Sequence, residues 1–254
     1  MAGPLPHSKQ VECMADKFLS DFRQEVVAAE LLLKKSAGFQ NIFRVSLATD
    51  AVLSKILKAR NGPPAEPARA IVSRVPILVC ARQVGPCRVE LRRFIELVIW
   101  HIYFEDHPVE WKRFECEPRR GFVRDMEDPI DFCAHRELTF YLNYAKSRMA
   151  DEPSKIAGRA VDQLRKDQSI LNADVHPTGI VGHGVTKFPL DAIGEVELKS
   201  LNDIQRSVFC SACILLAARH TPRFNSLGAM HRAHFDWLVG SKTSKEIRGG
   251  PFGL

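Results

Sequence analysis

No apolar run in this sequence is long enough to cross a membrane. The longest apolar stretch, residues 94–104, is interrupted by Glu96 and His101 and is far shorter than the roughly 20 apolar residues that a bilayer span needs. The first ten residues also contain no apolar run of the length found in a signal peptide. The sequence therefore predicts a cytoplasmic protein without a membrane partner.

A dense cysteine pattern is also absent. Seven cysteines are scattered over 254 residues, without the dense spacing of a disulfide scaffold. Cys210 and Cys213 form a CxxC pair, but it lies in the apolar run 208–218 and no second pair exists. The pair is therefore predicted to be buried as small apolar residues, not to bind zinc or serve redox chemistry.

Walker A, GxSxG and Rossmann glycine patterns are also missing, so no cofactor and no metal are expected.

What the sequence does contain is the composition of a globular protein. Hydrophobic residues make up 45% and charged residues 26%, and a chain of this length can bury one sizeable core. We expect a single domain over residues 1–254, with the charged segment 115–131 as the best internal boundary and residues 241–254 as a loosely held tail. The net charge of +6 would favour an acidic partner or nucleic acid.

Through most of the chain, apolar residues recur every three or four positions, which is the helical period. Residues 65–83 fit either a strand or a helix kinked at Pro76. Segment 176–198 is rich in glycine and proline and is predicted to be a long loop or a small hairpin insert. The expected fold class is thus an all-α helical bundle. Its predicted helices cover residues 11–33, 41–60, 87–105, 132–149, 153–171, 200–220 and 225–239.

Two finer predictions concern helix faces and helix ends. Ser200 and Asp203 resemble a capping box that begins one helix, and Gly240 is expected to end the last one. In the helix 41–60, the side chains that should turn inward are Phe43, Leu47, Val52, Ile56 and Leu57.

The helix 87–105 carries charged residues within an apolar sequence. Arg92 and Glu96 are four positions apart, so they can pair on one face and are predicted to be a structural polar pair that sets the helix register. His101 and His107 flank the acidic residues at the end of this helix, which fits either acid–base chemistry or a solvated helix end. His231 and His234 could share a metal with Asp236 or His220 only if the end of the last helix were bent there.

The order of elements, the sequence RRFIEL at 92–97 and the sequence DVHP at 174–177 together resemble prokaryotic HEPN-like helical proteins. The resemblance implies a helical bundle, often dimeric, that is often part of a toxin–antitoxin or antiviral defence system. Active members are metal-independent ribonucleases in which an arginine precedes a histidine by four to six intervening residues. Arg93 with His101 and Arg223 with His231 come nearest to this motif, but each pair has seven residues between.

The expected function follows from that mismatch. We expect first a helical accessory or regulatory subunit that acts through contacts with a protein partner or a second copy. The first alternative is a HEPN-type ribonuclease with Arg93 and His101 as its catalytic pair. The second is a noncatalytic protein that binds nucleic acid, such as RNA. The loop histidines His176 and His183 form a further candidate site, because long ordered loops often carry function.

Overall fold

The fold is given by a computed structural model, which describes residues 35–57, 65–116, 137–150, 155–172 and 193–248 and a few positions between 20 and 31. Within these ranges every regular element is helical, so the predicted all-α class is confirmed. None of the helices described combines the length and the apolar character that a membrane crossing requires. The helices, named α1 to α10 in chain order, are Ala37–Ile56, Ala65–Cys80, Val84–Asp106, Pro108–Cys116, Leu138–Ala150, Lys155–Asn172, Glu195–Arg219, Thr221–Asn225, Ala229–Val239 and Ser241–Arg248.

Helices α3 and α7 form the centre of the bundle. Helix α3 packs against α2, α5, α6 and α7, and α7 also packs against α1 and α9. Phe94 of α3 meets Phe209 of α7 edge to face, with ring centroids 4.8 Å apart, and both side chains are fully buried. The two helices run in the same direction, because Arg88 near the start of α3 donates to Ser200 of α7 and Asp106 at the end of α3 pairs with Arg219. Their carboxyl ends therefore meet.

The ambiguous segment 65–83 forms helix α2, which includes Pro76 in its buried face. The predicted loop 176–198 is wrong at its end, because α7 begins at Glu195. Glu195 and Glu197 lie in the first turn of α7, where carboxylates are stabilised by the positive end of the helix dipole. The capping box predicted at Ser200 is wrong for the same reason.

The predicted inward face of helix α1 is partly wrong. Leu47 is 67% exposed, whereas the core of this helix is formed by neighbours that include Ile42, Val45 and Leu53. The tail prediction is wrong over 241–248, because helix α10 buries Ile247. Gly240 ends α9 with φ of +89°, a conformation that glycine adopts without strain.

Several predictions fall outside the described residues. These include most of the predicted helix 11–33, the boundary segment apart from residues 115 and 116, and residues 176–192 of the predicted loop. The predicted helix 225–239 is divided, because α8 ends at Asn225 and α9 begins at Ala229. Across the described ranges, the buried apolar side chains form one cluster that extends from Phe39 to Ile247.

One carboxylate lies inside the interface between α6 and α7. Asp167 is 1% exposed, and it accepts hydrogen bonds from Ser207 Oγ at 2.7 Å and from Gln163 Nε2 at 2.9 Å. Burial raises the pKa of Asp167 above its ordinary value of 3.8, although both hydrogen bonds oppose the shift. The folded protein therefore holds this proton more tightly than the unfolded chain does.

We expect Asp167→Asn to change the pH dependence of stability. Stability in the wild type falls as pH rises from about the ordinary pKa through the raised folded one, because the buried carboxyl must then ionise. The neutral amide of the variant avoids that cost, so its stability relative to wild type should increase between pH 3 and pH 7 in urea unfolding curves. In Ser207→Ala, stability should fall more with rising pH than it does in wild type, since the Asp167 carboxylate loses a hydrogen-bond donor. Parallel curves for Asp167→Asn and wild type would contradict this account.

Candidate functional site

Charged side chains gather where the carboxyl ends of α3 and α7 meet. Asp106 accepts hydrogen bonds from Tyr144 Oη at 2.7 Å and from Arg148 Nε at 3.1 Å, and it also forms an ion pair with Arg219. Two helix ends that meet in this way place unsatisfied carbonyl groups and negative dipole ends together. The arginines compensate that negative potential, which explains why basic residues converge here.

A second group of side chains lies beside Asp106, and we call it the His–Glu–His cluster. It consists of His101 and Glu105, one turn apart on α3, and His220, the residue that follows α7. His101 Nε2 lies 3.5 Å from Glu105 Oε1, and His220 Nε2 lies 3.3 Å from Glu105 Oε2. The two imidazole rings are 5.7 Å apart between centroids. Three groups that can each offer a lone pair thus converge on one point.

Burial governs the charge state of this cluster. The pKa of His220 is lowered to about 3, chiefly by burial and in addition by the neighbouring His101, Arg223 and Arg219. Burial raises the pKa of Glu105, while the charges of Arg219 and Arg223 act in the opposite direction. His220 is therefore a neutral imidazole at physiological pH, with one ring nitrogen free of a proton.

The adjoining carboxyl group behaves differently. Burial alone would raise the pKa of Asp106, but the hydrogen bond from Tyr144 and the charges of Arg219 and Arg148 outweigh it and lower the pKa. Tyr144 responds in the opposite direction, because burial and the Asp106 carboxylate raise its pKa to about 12. Asp106 therefore stays ionised and holds the surrounding donors in place.

The residues of the two predicted catalytic pairs lie in different surroundings. His101 is buried in the cluster, but Arg93 is exposed on another face of α3, eight residues before it. Arg223 donates to the Ile56 carbonyl at 3.2 Å, and its charge acts on Glu105 and His220.

Other histidines lie elsewhere. His231 and His234 are half-buried residues of α9. His107 stacks on Tyr103 with ring centroids 4.1 Å apart, and its Nδ1 lies 2.8 Å from the Tyr103 carbonyl oxygen. His176 and His183 lie outside the described residues. Of the histidines singled out as catalytic or metal-binding candidates, the cluster therefore contains His101 and His220.

Arg92 and Glu96 form the ion pair that their spacing suggests, with Arg92 Nε 3.3 Å from Glu96 Oε1. Both side chains are close to 30% exposed, at 29% and 28%, so the pair lies at the edge of the core and not inside it. Pairs this exposed contribute little to stability, typically about 0–1 kcal/mol. Their role in setting the helix register stays a prediction.

The CxxC pair has the environment of buried thiols. Burial raises the pKa of Cys210 to about 11 and raises that of Cys213 well above its ordinary value, so both remain protonated. Cys210 Sγ donates a hydrogen bond to the Leu238 carbonyl at 3.0 Å. This hydrogen bond joins α7 to α9.

An apolar groove lies between the end of α2 and the start of α3. Its volume is about 520 Å³, and its lining includes Ile77, Leu78, Pro86 and Val89. Ile77 is 65% exposed and Val89 is 46% exposed. The sequence pattern did not reveal this groove, because each side chain has the spacing of an ordinary helix residue and only the packing of α2 on α3 sets them side by side.

Comparisons with known proteins add no relative. Scans of protein-family models, of curated proteins and of solved structures each found no match.

Proposed function

We propose that the chain is a helical accessory or regulatory subunit that binds a partner protein through the groove between α2 and α3. The observation that carries the proposal is the pair of exposed apolar side chains, Ile77 and Val89, on adjacent helices. Contiguous apolar surface of this kind costs free energy in water and marks binding surfaces in soluble proteins. A place in a bacterial defence complex belongs to the proposal through the HEPN-like resemblance.

The charged side chains beside the groove indicate which kind of ligand it binds. Arg74 borders the groove and is exposed, and Arg93 continues the face of α3 that carries Val89. Glu90 Oε1 lies 3.5 Å from Arg74 Nη1, so this one carboxylate offsets only part of the charge of the two arginines. The complementary ligand is an amphipathic helix that has an apolar face bordered by aspartate or glutamate.

Two other occupants fit less well. A second copy of the chain would set one basic rim against another, which is repulsive. A nucleic acid would meet the arginines but would leave the apolar floor without a partner, because phosphate groups require polar contacts. The ribonuclease alternative stays a prediction, and its first pair consists of an exposed Arg93 and a buried His101.

The proposal predicts a site-specific photocrosslink. A photoreactive amino acid at position 77 of the natively expressed chain should capture one partner, and mass spectrometry should locate the crosslink in an amphipathic, acid-bordered helix. Ile77→Glu should reduce the recovered complex by at least about tenfold, because a charge would be buried in an apolar contact. Arg93→Glu should weaken the complex less and reduce its dependence on salt.

Val196 provides the matched control, because it is 85% exposed and lies at the start of α7. Val196→Glu should leave the complex unchanged, and a photoreactive residue at position 196 should not capture the partner. Equal losses for Ile77→Glu and Val196→Glu would refute the groove as the docking surface. A crosslink to a second copy or to RNA, or no crosslink from position 77, would refute the proposed occupant.

A further inference from the structure

We propose that His101, Glu105 and His220 form a binding site for a divalent transition-metal ion, with zinc as the best fit. The proposal uses none of the groove residues, so it stands or falls independently of the protein-binding role. Two imidazole nitrogens and a carboxylate are a ligand set that zinc enzymes use, and three protein ligands leave one coordination position open.

The distances suit a tetrahedral ion. With metal–ligand bonds of about 2.0–2.1 Å, neighbouring ligand atoms in a tetrahedron lie about 3.4 Å apart. Glu105 Oε2 lies 3.3 Å from His220 Nε2, and Glu105 Oε1 lies 3.5 Å from His101 Nε2. The three ligand atoms all lie within 4.8 Å of one another. The two separations from Glu105 are thus close to those between the ligands of a tetrahedral ion.

The imidazole of His220 supplies an independent observation. Its side chain is only 9% exposed, and its Nε2 atom faces Glu105 without forming a hydrogen bond. A buried polar nitrogen without a hydrogen bond costs free energy, so it requires an explanation. Metal coordination provides one, because a neutral imidazole nitrogen can donate its lone pair to a cation.

The surrounding charges decide whether a cation can be tolerated. Arg219 Nε lies 3.7 Å from Glu105 Oε2, which would disfavour a second positive charge. Arg219 is also paired with Asp106, and it keeps that partner when Glu105 turns to a metal. Asp106 in turn is held by Tyr144 and Arg148. Asp106 can therefore neutralise Arg219 while Glu105 binds the ion.

The ligand chemistry also excludes other cations. Magnesium and calcium prefer sites made of oxygen atoms, whereas two of the three ligands here are nitrogens. Imidazole-rich sites suit zinc, cobalt, nickel and copper.

The experiment uses the untagged full chain after dialysis against a chelator. Titration calorimetry with Zn²⁺ should give one ion per chain, and Co²⁺ should produce the visible absorption bands of a tetrahedral site. Glu105→Gln and His220→Ala should each weaken Zn²⁺ binding by about 100-fold or more, since losing a direct ligand exceeds the effect of losing a supporting group. Glu105→Gln preserves the side-chain shape, so this variant tests the ligand even if His220→Ala unfolds.

The double variant His231→Ala, His234→Ala is the matched control. These two histidines lie three positions apart on α9, outside the cluster, so their removal should leave Zn²⁺ affinity and stoichiometry unchanged. The site would be disproved by the absence of stoichiometric Zn²⁺ binding or by wild-type affinity in folded Glu105→Gln. Loss of binding in the α9 double variant, or displacement of Zn²⁺ by equimolar Mg²⁺, would disprove it as well.

Discussion

Phe94→Ala is expected to lower the free energy of unfolding by about 3–5 kcal/mol, which is the usual cost of removing a fully buried phenylalanine ring. Phe94 is 0% exposed and contacts Phe209 in the interface of α3 with α7. The substitution leaves a cavity between the two central helices, which are not free to close it because other helices pack on both. Urea unfolding followed by circular dichroism measures the loss.

Phe140→Ala is the matched control for this prediction. Phe140 is also an aromatic ring beside other aromatic rings, but it is 36% exposed, so we expect a loss of at most about 1 kcal/mol. A double-mutant cycle between Phe94 and Phe209 should give a coupling of about 0.5–1.5 kcal/mol from the edge-to-face contact. A loss below 1 kcal/mol in Phe94→Ala would show that α3 and α7 do not share this core.

The second large effect is expected at the polar end of the same helices. Asp106→Ala should lower the free energy of unfolding by about 2–4 kcal/mol, because it leaves Arg219 and Tyr144 without their common acceptor. The Asp106 side chain is only 16% exposed, so water compensates poorly for the lost contacts. Unfolding should be measured with EDTA present, to keep metal binding from contributing.

Two further variants locate the cause of that effect. Asp162→Ala breaks an exposed ion pair with Lys146, and we expect a change of only about 0–1 kcal/mol. Asp106→Asn retains a carbonyl acceptor for Tyr144 but loses the charge, so its stability should lie between those of wild type and Asp106→Ala. If Asp106→Ala and Asp162→Ala cost the same, the cluster at the helix ends has no special energetic role.

Local sequence patterns predict some parts of this fold well and others poorly. The apolar period locates α3 and most of α7, since burial on one side of a helix repeats every three to four residues. It misplaces Leu47, because the period identifies a helix more reliably than the side of it that neighbouring helices cover. It also misses the first turn of α7, where Gly194 precedes a turn of charged residues instead of an apolar one.

The candidate sites show the same division. The four-residue spacing of His101 and Glu105 was visible in the sequence and places both on one face of a helix. Nothing in the local pattern pointed to His220 as their neighbour, and the sequence instead directed attention to Arg93 for His101. The signal available was weak, since a histidine at a helix end is usually solvated.

The sequence by itself determined that this chain forms helices and that charged side chains occur along its most apolar one. Local backbone geometry repeats every few residues, so these features can be derived from neighbours along the chain. The tertiary structure alone decided that α3 and α7 end together, which brings Asp106 to Arg219 across 113 positions of sequence. Such contacts depend on how whole helices pack, and that outcome is a property of the entire core.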